Sequence, residues 1–512
     1  CSEFARNAGL AIEDIVRFDE AENGVAKDRC AFILNCQESP GLGAASRTSV
    51  ADVNRYPQFL TADTSGWMML NLDQPGEASQ AWVTASMSAG SLSVDIEAAA
   101  LGNGCAPAAP PSDFSTGAIP IAPSNTRDDS CDIALLPAAT LLLPHFRVDQ
   151  NAKTVTTLLS VTNTTREDRI ARVTLWTDLA VPILTFNVFL TGYDMQSIDL
   201  YDVIVRGVIG SGTSSEGRRG PHSARNRDIE LGGCEALPGP LPPELAQRAV
   251  LAFTEGITED CGEVGLVHTF ATGYATIDVV RNCASVDPEE PSYWTRDVAF
   301  DNVLTGDYQV VDLAMGAAEG APLVHIRAVS EGARNEHTFY SRLSNGRDAR
   351  QPLPSTFAAR WNKSGGATLF EIWREAAAGI TCGRFDRSWR RFADLVRFDD
   401  DENAVAERPQ ARFEPIDVVP TLPSTSRTHI DDASVYPQLF NGATSGWMYF
   451  NLNDPADAHA TQAWVAATQL SISRGLTRRD AVALGNGCSP PVASSEPAKG
   501  TAVIGPAPKR NR

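Results

Sequence analysis

One stretch of this chain occurs twice, and that duplication constrains the architecture more than any other feature. Ile15-Val16-Arg17-Phe18-Asp19 returns as Leu395-Val396-Arg397-Phe398-Asp399, and Ser46-Arg47-Thr48 as Ser426-Arg427-Thr428. Tyr56-Pro57-Gln58 returns as Tyr436-Pro437-Gln438, and Thr64-Ser65-Gly66-Trp67-Met68 as Thr444-Ser445-Gly446-Trp447-Met448. Gln80-Ala81-Trp82-Val83 matches Gln462-Ala463-Trp464-Val465, and Leu101-Gly102-Asn103-Gly104-Cys105 matches Leu484-Gly485-Asn486-Gly487-Cys488. The offset is 380 between Phe18 and Phe398 and 383 between Cys105 and Cys488, so only short insertions separate the copies. Such order over such length marks an internal repeat. A chain of 512 residues also exceeds one hydrophobic core. The organisation expected is a β domain over 1–120, a β-rich middle over 121–380 with two sandwich subdomains, the second β domain over 381–495, and an extended tail over 496–512.

The duplication also sorts the ten cysteines. Cys1 aligns with Cys382 and Cys105 with Cys488, so each repeat is bracketed by a pair, most simply a disulfide that closes it. Closing a loop of about 100 residues contributes roughly 4–5 kcal/mol in the chain-entropy picture. Cys30 and Cys36, which have no counterparts, would form a local bridge. Cys131, Cys234, Cys261 and Cys283 leave three connectivities open in the middle. An even number of cysteines with no CxxC pair points to an oxidising compartment rather than to zinc. The expected location is therefore extracellular or at the cell surface. Cys1-Ser2 also resembles the start of a mature lipoprotein, but Cys382 matches Cys1 and cannot be a terminus, so the lipid anchor is the weaker reading.

Strand signals dominate. Each repeat alternates short apolar runs with turn residues, and 66–72 reads as a buried strand beside 80–87. In the middle, 140–148, 154–162, 170–176, 186–190 and 196–200 read as strands, as do 273–280, 308–313, 323–328, 356–361 and 368–373. The polar run 163–168 makes a turn. Only 243–255 carries a convincing helical pattern, with Pro242-Pro243 at its start and Leu245, Ala249, Val250 and Phe253 on one face. The expected fold class is mainly β: several antiparallel β-sandwich, immunoglobulin-like domains with one short helix in the middle region. Residues 106–124, rich in Pro, Ala and Ser, read as a linker, 210–226 as a surface loop, and Trp389 as core of the second repeat.

Charge and hydropathy remove several function classes. A formal net charge of −20 disfavours nucleic acid and anionic membrane surfaces, which call for a Lys/Arg-rich face. No run approaches the ~18 apolar residues of a membrane span.

The stretches 138–146, 173–178 and 186–194, with Thr356-Phe357-Ala358-Ala359-Arg360 and Val396-Arg397-Phe398-Asp399, resemble a family of exported bacterial proteins with no assigned activity. The similarity covers one middle-plus-end unit, from Cys131 to about Gly487, and the additional repeat at 1–120 departs from that pattern. The resemblance implies export and brings no cofactor or catalytic residue.

Candidate chemistry is sparse. The histidines His145, His222, His268, His325, His337, His429 and His459 are scattered, with no HExxH, and His145, His268 and His325 read as hydrogen-bonded core residues. No GxSxG elbow, phosphate loop or dinucleotide fingerprint occurs. Asp19, Glu20 and Glu22 recur as Asp399, Asp400 and Glu402, a candidate calcium cluster; a solvated turn at a strand end is the stronger reading. The functional expectation is a non-enzymatic, exported structural protein that assembles head-to-tail with copies of itself, with a glycan- or partner-binding protein as the alternative.

Overall fold

The computed structural model describes residues 14–19, 24–26, 66–71, 83–89, 92–97, 136–178, 180–208, 241–258, 268–282, 286–328, 338–362, 366–375, 394–399, 404–407, 427–431, 444–453, 462–471 and 475–483. The chain is mainly β, with several antiparallel sheets and few helices, as the strand signals predict.

The first repeat contributes β1 (Asp14–Asp19), β2 (Gly24–Ala26), β3 (Gly66–Asn71), β4 (Thr84–Ala89) and β5 (Leu92–Glu97). The middle supplies β6 (Thr140–Val148), β7 (Val155–Asn163), β8 (Arg169–Thr177), β9 (Pro182–Leu190) and β10 (Met195–Asp199). After helices α1 (Leu200–Ile204) and α2 (Pro243–Glu255) come β11 (Ala271–Val280), β12 (Leu304–Asp312), β13 (Ala317–Pro322) and β14 (Val324–Ile326). The π-helical turn Tyr293–Asp297 and helix α3 (Ser341–Ser344) are further helical pieces that local sequence pattern does not announce.

Two antiparallel sheets organise the middle, ordered β14-β6-β11-β8-β9 and β10-β7-β12-β13. One apolar cluster draws on both: Leu141 and Leu143 from β6, Val173 and Leu175 from β8, Val155 and Leu159 from β7, and Tyr308 and Val310 from β12. Helix α2 closes one side of it through Ala249 and Phe253, whose ring meets Phe146 edge-on at 5.3 Å. The other face of the five-stranded sheet is covered as well. Trp176, Tyr274 and Ile326 pack there against Tyr293, Trp294, Phe339, Tyr340 and Leu353. Every residue of β11 is consequently buried, which suits a central strand clothed on both faces. Gly273 sits at a bulge in that strand, where an added Cβ would lie 2.1 Å from the Trp176 carbonyl. The expected polar turn after β7 is real: Asn163 Nδ2 donates to the Glu167 and Thr191 carbonyls while Oδ1 accepts from the Thr165 amide.

The remaining strands are β15 (Thr356–Asn362), β16 (Gly366–Arg374), β17 (Asp394–Asp399), β18 (Ala404–Glu407), β19 (Arg427–Asp431), β20 (Ser445–Asn451), β21 (Ala463–Ser471), β22 (Gly475–Asp480) and β23 (Val482–Ala483). They form sheets ordered β18-β17-β20-β15-β23 and β19-β16-β21-β22. Strands β15 and β16, assigned to the middle on sequence, thus pair into the sheets of the second repeat, across the 380/381 boundary. The pairing expected between 66–72 and 80–87 is corrected. β4 begins at Thr84 and pairs with β5, not β3, and the corresponding β20 and β21 lie in different sheets. The reason is that alternation marks a strand and its faces but not its neighbour.

All ten cysteines, Glu20, Glu22, Asp400, Glu402, Trp389, the 106–124 linker, the 210–226 loop and the 496–512 tail lie outside the described residues.

Candidate assembly surface

The second repeat is completed by strands that precede it. β15 enters one sheet between β20 and β23, and β16 enters the other between β19 and β21. The two strands follow one another in the chain but lie in different sheets, so together they form an arch across the interior. Alternation explains why they can do this. Phe357, Ala359 and Trp361 of β15 face inward with Phe370 and Ile372 of β16, packing on Met448, Phe450, Ala463, Val465 and Ala467. Phe357, Trp361 and Phe370 have no solvent exposure. Each large apolar side chain buried in this way stabilises the unit by roughly 1.5–3 kcal/mol. Trp361 Nε1 also donates to the Phe398 carbonyl at 3.3 Å, and Phe398 stacks on Trp447 at 4.2 Å, so the arch is tied to β17 and β20 at once.

Polar contacts fasten this completed unit to the middle. His145 of β6 and Glu371 of β16 form a buried pair through Nδ1 and Oε1. Gln462 Nε2 donates to the Thr338 and Phe339 carbonyls at 3.0 and 3.2 Å, while its Oε1 accepts from the Leu353 amide at 3.0 Å. Arg342 Nε meets Glu375 Oε1 at 3.2 Å. Trp373 stacks on Phe339, so aromatic packing runs through the same junction.

The first repeat uses equivalent residues for its own ladders. Asp14 to Asp19 pair with Asn71 to Gly66, and Asp394 to Asp399 pair with Asn451 to Gly446. Val16, Arg17 and Phe18 pair with Ala26, Val25 and Gly24, matching Val396, Arg397 and Phe398 with Ala406, Val405 and Ala404. The β4–β5 register, Thr84 with Glu97 to Ala89 with Leu92, mirrors Ala466 with Asp480 to Ser471 with Gly475. The difference is on the other edges. Among the described residues β3 pairs with β1 alone and β4 with β5 alone, whereas β20 and β21 each have a second partner in the arch. Exposure follows: Leu70 and Val83 are half-buried and Ala85 is exposed, but Phe450, Val465 and Ala467 at the corresponding places are buried. The first repeat meets the middle elsewhere. Trp67 Nε1 donates to the Tyr193 carbonyl at 2.7 Å, and β5 runs beside β13, the strand that β22 of the second repeat also approaches.

One set of buried polar groups in the middle forms a closed network. Asp278 of β11 accepts from Thr140 at 2.6 Å on Oδ1, and from Tyr293 at 2.6 Å and Tyr340 at 2.9 Å on Oδ2. Arg350 Nη2 lies 3.5 Å from Asp278, Nη1 is 3.0 Å from Asp348, and Nε reaches Thr140 Oγ1. Burial alone would depress the Arg350 guanidinium, but the Asp278 and Asp348 carboxylates outweigh it and raise its pKa. Burial, with Asp278 alongside, lifts both tyrosines well above their ordinary value. Because Asp278 and Arg350 are almost wholly enclosed, the network joins strands and loops and offers no face to a substrate.

The sequence candidates distribute as follows. Asp19 and Asp399 end β1 and β17 opposite Gly66 and Gly446. Among the described residues no group of metal-ligating side chains is gathered. His145 is a core residue paired with Glu371. His325 is buried with Nδ1 2.8 Å from the Leu136 carbonyl, and burial lowers its pKa. His268 precedes β11 and meets Asp178 at 3.2 Å. His429 lies in β19, and His222, His337 and His459 fall outside the described residues. That β15 and β16 complete the second repeat escaped sequence reading, because the repeat covers 381–495 but not the 356–374 strands before it. Among the described residues no helix is long and apolar enough to cross a membrane. No family model and no curated protein matches this chain.

Proposed function

We propose that this is an exported, disulfide-stabilised structural protein of the cell surface or extracellular matrix, a member of the exported bacterial family it resembles, that assembles head-to-tail through its repeats. The observation that supports it is the inequality of the two ends. The same pair of strand edges is filled in the second repeat and lacks strand partners among the described residues in the first. A surface of one copy that meets a different surface of the next makes a heterologous contact, which extends into a filament when the rotation does not close. Oxidised pairs Cys1–Cys105 and Cys382–Cys488 would hold each repeat while its edges exchange partners. Light scattering across a concentration series, with micrographs of the same samples, tests the reading. Growing particles and linear polymers are expected; a monodisperse monomer at high concentration with no polymer in micrographs defeats it.

The alternative, a partner- or glycan-binding protein, has one observation in its favour. Leu313 and Met315, at the tip of the β12–β13 hairpin, are 63% and 62% exposed, an apolar point at the surface. Leu313→Ser with Met315→Ser would abolish binding under that reading and leave polymer growth unchanged under the first.

A further inference from the structure

We propose that Asn345 is a site of spontaneous covalent modification, deamidation through a succinimide, and that the reaction lengthens the backbone of the loop that carries Asp348. The reaction needs no partner and proceeds whether or not the chain polymerises. Asn345 and Gly346 follow helix α3 at the centre of the turn Ser344–Arg347, which the Arg347 amide closes by donating to the Ser344 carbonyl at 3.1 Å. Asn345 is left-handed (φ 50°, ψ 46°), a conformation that asparagine tolerates better than most residues, and Gly346 follows at φ 75°. Both are exposed, although Ser344 before them and Asp348 beyond them are buried. A Cβ added to Gly346 would meet nothing within 4 Å. The Asn345–Gly346 peptide therefore has room to swing until its nitrogen faces the Asn345 side chain, at the cost of the one turn hydrogen bond. Glycine favours the approach, since no side chain crowds the attacking nitrogen.

The step balances with water and hydroxide alone. Hydroxide takes the proton of the Gly346 amide, and the nitrogen attacks Cγ of Asn345. The N–Cγ bond forms, the Cγ–Nδ2 bond breaks, and Nδ2 leaves as ammonia with a proton from water. Water then opens the ring. Attack at Cγ gives aspartate and restores the original chain, whereas attack at the main-chain carbonyl of residue 345 gives isoaspartate, in which the chain runs through Cβ and Cγ. Either product adds a carboxylate, and isoaspartate also adds a methylene to the backbone. That methylene falls inside a loop whose ends are pinned. Asp348 Oδ2 accepts from the Tyr340 amide at 2.8 Å, and Asp348 Oδ1 accepts from Arg350 Nη1 at 3.0 Å. Arg342, within the loop, reaches Glu375 at 3.2 Å. A longer chain between fixed ends must bulge, and the Tyr340–Asp348 bond is the closure that the bulge pulls on.

The test incubates the full chain in mildly alkaline buffer at physiological temperature, then maps it with trypsin and mass spectrometry. Asn-Gly occurs at five places in the chain, but the tryptic peptide Leu343–Arg347 holds only Asn345-Gly346, so its signal is separate from the rest. In the folded chain this peptide should gain the mass difference between amide and acid progressively with time. It should also become a substrate for an isoaspartyl methyltransferase used as a labelling reagent. Asn345→Gln, a change at an exposed position, should abolish both signals. A Leu343–Arg347 peptide that keeps its mass in the folded chain overturns the inference, whether or not urea exposes it. Mass gain with aspartate as the sole product overturns the succinimide route. Hydrogen exchange reads the consequence. The Tyr340 amide should exchange faster in the isoaspartate-containing chain, while Asn345→Asp, which brings the charge without the methylene, leaves it protected. Equal exchange in all forms overturns the link between residue 345 and the Asp348 loop.

Discussion

At the scale of single residues, the middle region depends on charges that have left water together. Arg350 faces Asp278 and Asp348 with no solvent to screen them. Arg350→Met retains bulk but leaves two carboxylates uncompensated, so a loss of about 3–5 kcal/mol is expected from urea unfolding. A loss below about 1 kcal/mol would mean that water reaches the site. Asp307 on β12 behaves differently. Burial pushes its carboxyl up to about 6, a rise that the Ser160 hydroxyl only partly offsets. The native state then binds more protons than the unfolded chain between the ordinary aspartate value and about 6, so stability falls as pH rises through that window. Asp307→Asn removes this slope and, since the residue is half-buried, stabilises the protein near neutral pH by about 1 kcal/mol. Unfolding midpoints at about pH 4 and pH 7.5 check it; equal slopes in both proteins would refute the assignment. None of this was legible in the sequence. Thr140, Asp278, Tyr340 and Arg350 meet across separations that no local pattern encodes. His145 and His325, by contrast, were readable as core residues because each sits in an apolar run.

At the scale of elements, local pattern carried most of the middle. The strand expected over 140–148 and the helix over 243–255 occur at those residues. Both have strong periodicity, and the helix is bounded by Pro243 at its first turn and the left-handed Gly256 after its last. Pairing was less readable than existence. Nothing within 80–87 tells it from a partner of β3, because a strand pattern specifies a face and leaves its neighbour open. The arch shows the same point, since β15 and β16 read as ordinary strands and their destination is set by Phe357, Trp361 and Phe370 reaching a core farther along the chain. Phe370→Ala should cost about 3–5 kcal/mol, as aromatic truncation in a dry core does. Hydrogen exchange would show the loss in β16, β20 and β21, with β7 and β12 still protected. Uniform loss through all strands would show one cooperative block instead of separable sheets. Gly273→Ala tests the opposite region. Its Cβ would press on the Trp176 carbonyl, so destabilisation of about 1–3 kcal/mol should fall on β8 and β11.

At the scale of the whole molecule, the repeats share a sequence pattern but, among the described residues, not a supply of core. The second has the arch to fill it. In the first, Leu70 and Val83 are half-buried where Phe450 and Val465 of the second are buried. If Cys1–Cys105 and Cys382–Cys488 are oxidised as proposed, each closure restricts the unfolded chain by about 4–5 kcal/mol. Removing both with a reductant subtracts a similar amount from each repeat, but only the second retains an arch-filled core. Cleavage by a broad-specificity protease follows the population of open chain when opening is fast. Reduction should therefore expose sites within 1–105 first, and sites within 382–488 at a later time or higher protease concentration. Peptide mapping of the time course by mass spectrometry reads the order directly. Simultaneous cleavage would mean that the arch contributes little beyond the disulfide. Unchanged resistance on reduction would remove the disulfides from the account.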